Sequence, residues 1–214
     1  MPAARSRFAA RLVIMVKEPV AGRVKTRLAL GIGAAAAASV YRAMVTALVA
    51  RLSADPRWQT VLAVSPDAAI LSRMLPRQTS RVAQASGDLG RRLQDIFDQL
   101  PPGPVVVIGS DIPAITGADI ASAFNALGRH DAVFGPSPDG GYWLIGMTRR
   151  PCVLRPFNGV RWSSEHALAD TRRNLEAAPV AYVAVRDDID TAADLARLRA
   201  HTGRRVLPRR FENL

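Results

Sequence analysis

The chain has 214 residues, 49% of them hydrophobic, and a formal net charge of +11, which suits one α/β domain over residues 1–214 with an ordinary core. Its single cysteine, Cys152, excludes an intramolecular disulfide framework, and no apolar stretch approaches the roughly 20 residues that span a bilayer. Arginines are spread along the chain without the interleaved aromatics of nucleic-acid binders, so the charge indicates phosphorylated small ligands rather than a specific nucleic acid or a membrane surface.

Strand and helix patterns alternate from one end of the chain to the other. Strands are predicted at 12–16, 60–64, 80–83, 104–109, 131–134, 142–147 and 180–185. Helices are predicted at 34–52, 88–100, 116–127, 163–176 and 191–200. A further short helix is predicted to start at residues 65–67 and to run to residue 75, and a polar loop is predicted at 17–31. The alternation predicts an α/β fold, a three-layer α/β/α sandwich with a mostly parallel sheet. The close strand pair at 131–147 would add an antiparallel member and make the sheet mixed.

The first predicted strand, 12–16, is followed by a loop that concentrates positive charge. The strand is too short for a signal-peptide core and Lys17 interrupts it, so we expect a cytoplasmic protein. The loop contains both lysines of the chain and differs from the P-loop and G-x-G-x-x-G patterns. It could cradle a di- or triphosphate, or be a solvated basic loop. Five of its residues are candidates for nucleotide binding: Lys17, Gly22, Arg23, Lys25 and Arg27.

A second candidate for nucleotide binding is the entrance to the helix predicted at 88–100. Gly87, Asp88 and Gly90 lie there with arginines close by. The amide groups at a helix N-terminus can meet a phosphate, a ribose or a base. The alternative is a purely local role, with Asp88 capping the helix and Gly87 forming the turn before it.

The β-branched run 105–108 predicts a strand buried on both faces, and it ends shortly before Asp111. Ligands of open α/β sheets bind at the carboxyl ends of the strands. A carboxylate at that edge can hold a divalent cation, which can in turn hold phosphate oxygens. The alternative is that Asp111 caps the helix predicted to begin near Thr116 or makes a local turn.

Two further acidic segments follow. Asp139 precedes Tyr142 and Trp143 in a sequence typical of a hairpin turn, but a carboxylate beside aromatic rings also suits a sugar or another polyol. After the last predicted strand come three acids in four residues, at 187–190. Of these, Asp188 and Asp190 could complete a metal site with Asp111, or Asp190 could cap the final helix.

These segments, taken together, resemble the DUF2064 family, glycosyltransferase-like proteins of GT-A fold that include proteins labelled as arsenosugar-biosynthesis glycosyltransferases. The resemblance is carried by five motifs in order: Lys-x-Pro-x-x-Gly-x-x-Lys-Thr-Arg-Leu, Gly-Asp-Leu-Gly, Gly-Ser-Asp-Ile-Pro, Gly-Pro-x-x-Asp-Gly-Gly-Tyr-Trp-Leu-Ile-Gly and Asp-Ile-Asp-Thr-x-x-Asp-Leu. The first motif is also similar to the corresponding segment of 2-phospholactate guanylyltransferases. The resemblance implies a nucleotide-diphospho-sugar transferase fold, with Lys25 on phosphates and Asp111 at the metal. GT-A glycosyltransferases have Asp-x-Asp, whereas Pro113 stands at the third position here, as is more typical of nucleotidyltransferases.

The resulting hypothesis is a Mg²⁺- or Mn²⁺-dependent transferase that binds a nucleotide or nucleotide sugar and a small-molecule acceptor. Asp111, Asp188 and Asp190 would hold the metal, Lys25 would contact phosphates, and Asp139 would orient or deprotonate the acceptor. Glycosyl transfer from a nucleotide sugar is the first expectation. Nucleotidyl transfer with release of pyrophosphate is the alternative, and a non-catalytic nucleotide- or polyanion-binding protein is the third possibility.

Overall fold

Seven strands form one mixed sheet in the part of the chain that the computed structural model describes, residues 9–149 and 153–201; Cys152 lies outside the described residues. The strands are β1 (Arg11–Lys17), β2 (Gln59–Ser65), β3 (Ser80–Ala83), β4 (Val105–Ile108), β5 (Ala132–Pro136), β6 (Tyr142–Met147) and β7 (Val180–Tyr182). Their order across the sheet is β3-β2-β1-β4-β6-β5-β7. Only β6 runs against its neighbours, β4 and β5. The predicted mostly parallel, mixed sheet is confirmed.

Six α-helices accompany the sheet among the described residues. They are α1 (Thr26–Ile32), α2 (Ala34–Ser53), α3 (Leu89–Gln99), α4 (Gly117–Ala126), α5 (Ala167–Arg173) and α6 (Ala192–His201). Two predictions were wrong here. The polar loop predicted at 17–31 ends at α1, whose seven residues are too few to show a helical period. The helix predicted to reach residue 75 is a single 3-10 turn, Asp67–Ala69.

The sheet is covered on both faces, which confirms the three-layer architecture. On one face, Val45 and Leu48 of α2 and Ile120 of α4 pack against Leu12 and Ile108 of the sheet. On the other face, α3 contributes an apolar stripe that packs against the opposite side chains of the same strands. Alternate residues of a strand point to opposite faces, so a strand covered by helices on both sides is apolar at every position, as in 105–108.

Helix α2 is 20 residues long and apolar enough, by length and composition, to cross a membrane. This corrects the expectation that no apolar stretch approaches that length. The helix is 56% buried within its most apolar window, with Leu52 and Val40 fully covered by other parts of the chain. Its hydrophobicity is therefore explained by its place in the core.

The segment between β6 and α5 is held to that helix by an ion pair. Arg161 donates through Nε and Nη2 to the two carboxylate oxygens of Asp170, at 2.8 Å each, and Arg173 adds a third bond at 3.2 Å. The hydrogen bonds from Arg161 hold the pKa of this buried carboxyl well below its usual value of 3.8. The pair fixes the position of Trp162, the next residue, beside the carboxyl edge of the sheet.

Asp170→Asn keeps the size of the side chain and removes its charge. The variant is expected to have a lower Tm than the wild type at neutral pH. The difference should shrink as the pH falls below 3.8, because a carboxyl whose pKa is lowered on folding contributes stability only while it is ionised. Thermal melts of the variant and the wild type, from neutral pH to below pH 3.8, measure this difference in Tm. Asp98→Asn, at the surface pair with Arg155, is the matched control and should change Tm little; equal melting of Asp170→Asn and wild type at neutral pH would contradict the prediction.

Candidate functional site

Two adjoining cavities open at the carboxyl edge of the sheet. The larger one, here called the basic cavity, has a volume of about 710 Å³ and lies over the ends of β1 and β4. Five basic residues are among those that line it: Lys17, Arg23, Lys25, Arg27 and Arg92. The acids in its wall are Asp111 and Asp190. The volume falls within the roughly 300–1,000 Å³ of small-molecule sites.

The smaller one, here called the acidic cavity, has a volume of about 240 Å³. It contains three carboxylates, Asp111, Asp139 and Asp188, and three aromatic side chains, Tyr142, Trp143 and Trp162. Four residues line both cavities: Leu89, Gly109, Asp111 and Ser163. A group that passes from a ligand in one cavity to a ligand in the other would therefore cross near Asp111.

The centre of the site is the ammonium of Lys25. Its Nζ donates to Oδ2 of Asp111 at 2.9 Å and lies 3.7 Å from Oδ1 of Asp190. The Lys25 side chain is only 7% exposed, while each carboxylate is 32% exposed. Three segments distant in sequence, the loop after β1, the end of β4 and the segment after β7, thus meet at one buried charge.

Lys25 reaches this position with a strained backbone. Its φ of 47° and ψ of 49° lie in the left-handed region, which residues with a Cβ rarely adopt. It is the residue before α1, and its carbonyl accepts the N–H of Ala29 at 2.9 Å. Such strain persists only where the surroundings compensate for it, and it is enriched at functional sites.

Asp190 and its neighbours are fixed by two separate sets of bonds. Arg27 donates to Oδ2 of Asp190 at 2.9 Å, and the N–H of Ile189 donates to the carbonyl of Asp111 at 3.1 Å. The cap of α6 is formed by Thr191 and Asp194, which exchange side-chain and backbone bonds. The capping alternative for Asp190 was therefore wrong, because its carboxylate is directed to the basic residues of the site.

The capping alternative for Asp111 was wrong as well. The helix that follows, α4, is capped by Thr116 and Asp119, whose side chains each accept the other's backbone N–H. Asp111 is left to contact Lys25. At Asp88, by contrast, the local alternative is confirmed, because its Oδ1 accepts the N–H of Arg91 at 2.8 Å and caps α3.

The third acid of the proposed metal set, Asp188, lies close enough to the others to feel their charge. Partial burial, followed by the negative charge of Asp111, raises its pKa to about 6. Within residues 9–149 and 153–201, no group of three or more His, Cys, Asp or Glu side chains is arranged to hold a metal ion by itself. The carboxylates are thus near one another without forming an all-protein metal cage.

The remaining glycines of the nucleotide prediction do not line the basic cavity in the described chain. Gly22 has a φ of 79° and forms the turn before Arg23. Gly87 precedes α3 and Gly90 is in its first turn, where an added Cβ would lie 2.9 Å from the ring of Trp162. Gly90 therefore lets Trp162, a lining residue of the acidic cavity, approach α3 closely.

Two buried residues that hold the carboxyl edge of the sheet together were not among the candidates predicted from the sequence. Gln84 is 1% exposed, and its amide donates to the carbonyls of Val16 at 3.0 Å and Ala63 at 2.6 Å, while its oxygen accepts from Arg92. It binds the ends of β1 and β2 together and orients an arginine of the basic cavity. Gln84 lies in the short segment directly after β3, where no hydrophobic periodicity or motif marks it as buried.

Tyr41 is the other missed residue. From the middle of α2, its hydroxyl accepts the N–H of Lys17 at 2.9 Å and shares a 2.9 Å hydrogen bond with Ser110, next to Asp111. Burial raises the pKa of the Tyr41 phenol above its usual value of 10.0. One neutral hydroxyl thus links the starts of both loops that carry the charged site residues.

The sequence profile of the DUF2064 family, described as an uncharacterized protein conserved in bacteria, matches residues 48–164. The chain is also 30% identical over 159 residues to a phosphoenolpyruvate guanylyltransferase from Rubrobacter xylanophilus, an alignment that covers 70% of this chain and 75% of that protein.

Solved structures share the fold. A protein from Desulfovibrio desulfuricans described as a nucleotide-diphospho-sugar transferase is 30% identical, with a TM-score of 0.82 over 92% of this chain and 88% of the other. A CMP:2-keto-3-deoxy-manno-octonic acid synthetase solved with CTP is 13% identical, with a TM-score of 0.56 over 90% of this chain and 98% of the other, a likeness of fold alone. The architecture is that of nucleotidyltransferases and nucleotide-sugar transferases.

Tyr41→Phe removes the hydroxyl that joins the two loops. The free energy of unfolding is expected to fall by about 1–3 kcal/mol, because the N–H of Lys17 and the hydroxyl of Ser110 lose a buried partner. Urea denaturation measures the change. Tyr182→Phe, at a side chain that is 53% exposed, is the matched control and should have little effect; equal losses in the two variants would contradict the role given to Tyr41.

Proposed function

The chain belongs to the DUF2064 family, and we propose that it is a divalent-metal-dependent transferase that binds a nucleotide in the basic cavity and transfers a group to or from an acceptor in the acidic cavity. The observation that carries this proposal is the separation of charge between the two cavities, with Asp111 at their boundary. The transferase fold and a relative named as a guanylyltransferase support it.

Binding of nucleotide phosphates is supported by the side chains around the basic cavity. Lys17, Arg23 and Arg27 are exposed at its mouth, so they can approach phosphate oxygens without breaking a buried contact. Arg27 already contacts Asp190, and a phosphate could share that guanidinium, which has several donors. These cations would offset the negative charge that builds on a departing phosphate, which is the main electrostatic task of such a transfer.

A divalent cation fits the carboxylates at the boundary. Asp111 and Asp190 offer hard oxygen ligands, and the ammonium of Lys25 shows that a cation is stabilised between them. Mg²⁺ is commonly held by one or two carboxylates together with substrate phosphates, which agrees with a site that lacks an all-protein cage. Asp188 would complete the set. When bound, Mg²⁺ or Mn²⁺ would supply positive charge to the phosphate oxygens.

Nucleotidyl transfer is the first candidate reaction. An acceptor oxygen attacks the α-phosphorus of a nucleoside triphosphate, the bond from that phosphorus to the bridging oxygen breaks, and pyrophosphate leaves with the electron pair. Asp111 with Pro113 two residues later, in place of a second acid, favours this reaction. If the acceptor is a hydroxyl, Asp139 in the wall of the acidic cavity is the carboxylate that would receive its proton.

Glycosyl transfer from a nucleotide sugar is the second candidate. The aromatic side chains and carboxylates of the acidic cavity favour it, because rings pack against the apolar face of a sugar and carboxylates accept bonds from its hydroxyls. In that reaction an acceptor hydroxyl oxygen bonds to the anomeric carbon and gives its proton to Asp139, the bond from that carbon to the diphosphate oxygen breaks, and a nucleoside diphosphate leaves with the electron pair. The same basic cavity would hold the leaving group.

Asp111→Asn tests the metal role by calorimetric titration with GTP, in Mg²⁺ and in EDTA. Wild type is expected to bind GTP about tenfold or more tightly with Mg²⁺, and the variant should lose that gain, because a charged oxygen ligand of the proposed metal site has been replaced by a neutral amide. Asp95→Asn, at a pair with Arg91 that lines neither cavity, is the control and should bind as wild type. If wild type and Asp111→Asn bind GTP equally tightly, and Mg²⁺ changes neither affinity, Asp111 has no role in metal binding.

Product analysis separates the two reactions. The protein is incubated with Mg²⁺ and either a nucleoside triphosphate plus a sugar 1-phosphate, or a nucleotide sugar plus a sugar. Nucleotidyl transfer releases pyrophosphate in the first mixture, whereas glycosyl transfer releases a nucleoside diphosphate in the second. Asp139→Asn should lower kcat for a hydroxyl acceptor more than for a phosphate acceptor, because only the hydroxyl must lose a proton. No release in either mixture would favour a non-catalytic binding protein.

A further inference from the structure

The lining of the acidic cavity has one sign of charge. It contains Asp111, Asp139 and Asp188, and the described residues that line it include no Lys, Arg or His. The adjoining basic cavity is lined by five basic residues and two acids, Asp111 and Asp190, so its charge is mainly positive. A ligand that bridges the two would therefore meet a change in the sign of charge near Asp111.

The cations that lie nearest along the chain are committed elsewhere. Arg161, which precedes Trp162, gives both of its carboxylate-facing nitrogens to Asp170. The ammonium of Lys25 is shared between Asp111 and Asp190. Arg186, two residues before Asp188, donates to Asp119 at 2.6 Å. A negative group entering the acidic cavity would thus meet the charge of Asp139, which forms no ion pair with the described residues and lies apart from the carboxylates that would hold the metal.

The aromatic wall is arranged to present rings rather than polar groups. Tyr142 and Trp162 are in edge-to-face contact, with centroids 6.3 Å apart. The indole N–H of Trp143 is used by the carbonyl of Ala184 at 2.9 Å, and the hydroxyl of Tyr142 lies 3.4 Å from that of Thr171. These contacts fix the rings and engage the polar atoms of Tyr142 and Trp143, in a cavity whose other lining residues include three carboxylates.

From this arrangement we propose that the acidic cavity selects an uncharged polyol, such as a sugar ring, and rejects a carboxylate at that position. Any negative charge of the substrate is then confined to its phosphate, at the boundary with the basic cavity. The inference rests on the proposed function, because it takes the acidic cavity as the site of the non-nucleotide part of the substrate. It assigns a substrate class that differs from an acid such as the phosphoenolpyruvate in the name of the guanylyltransferase relative.

Two physical effects give the selection. Hydroxyls donate hydrogen bonds to carboxylates such as Asp139, which is itself held in place by the N–H of Gly141 at 3.0 Å. A carboxylate in the same position donates nothing and brings a second negative charge close to that of Asp139, which is a strongly unfavourable arrangement. The cavity of about 240 Å³ suits a small molecule.

The test compares glucose 1-phosphate with glucuronic acid 1-phosphate, which differ only in a carboxylate far from the phosphate. Binding is followed by the fluorescence of Trp143 and Trp162, in the presence of Mg²⁺ with and without GTP. Glucose 1-phosphate is expected to bind about tenfold more tightly, the effect of one uncompensated like charge. Equal binding of the two sugars, tighter binding of the acid, or no binding of either to a protein that binds GTP would overturn the inference.

Asp139→Asn is the informative variant, because an amide oxygen can still accept the N–H of Gly141 while the charge is removed. The preference for the uncharged sugar should narrow in this variant and stay unchanged in Asp95→Asn, whose carboxylate lies outside both cavities. An unchanged preference in Asp139→Asn would also count against the inference.

Failure of the proposed function is recognised separately. In that case the wild-type protein would not bind GTP in the calorimetric titration, irrespective of the result with the two sugar phosphates.

Discussion

The ammonium of Lys25, 7% exposed, is neutralised by Asp111 at 2.9 Å and by Asp190 at 3.7 Å. A buried charge is tolerated only with such partners, so the loop after β1, the end of β4 and the segment after β7 are bound to one another. The left-handed backbone of Lys25 adds a local cost that these contacts offset. A pair of this kind contributes less to stability than to position, and it holds a basic loop and an acidic edge together before any ligand arrives.

The sheet supplies the second constraint. β1 and β4 are neighbouring parallel strands, so the residues after them emerge side by side, with Ile14 level with Ile108. The antiparallel β6 is next to β4, and the turn before it brings Asp139 to the same edge from the other direction. Parallel strands thereby provide the basic side of the site and the antiparallel strand provides the other side. The topology separates the two cavities and their charges.

Buried polar residues connect the two constraints. Tyr41 and Gln84 lie in the core, satisfy backbone groups at the ends of strands and touch residues of the site. Each neutral side chain replaces water as the partner of a buried polar group, which keeps the loops in one arrangement. The proposed substrate selection depends on this rigidity, because a mobile loop could bring an arginine into the acidic cavity and cancel its charge.

The sequence by itself determined the α/β architecture, the mixed sheet, the cap at Thr116 and the family, because these follow from local periodicity and short motifs that neighbouring residues specify. It did not determine α1, which is too short to show a period, or whether Asp111 and Asp190 cap helices or form ion pairs. Those choices depend on which charged side chain lies across from each carboxylate, over separations of 86 and 163 residues. Only the tertiary structure brings such partners together, and it alone divided the edge into a basic and an acidic cavity.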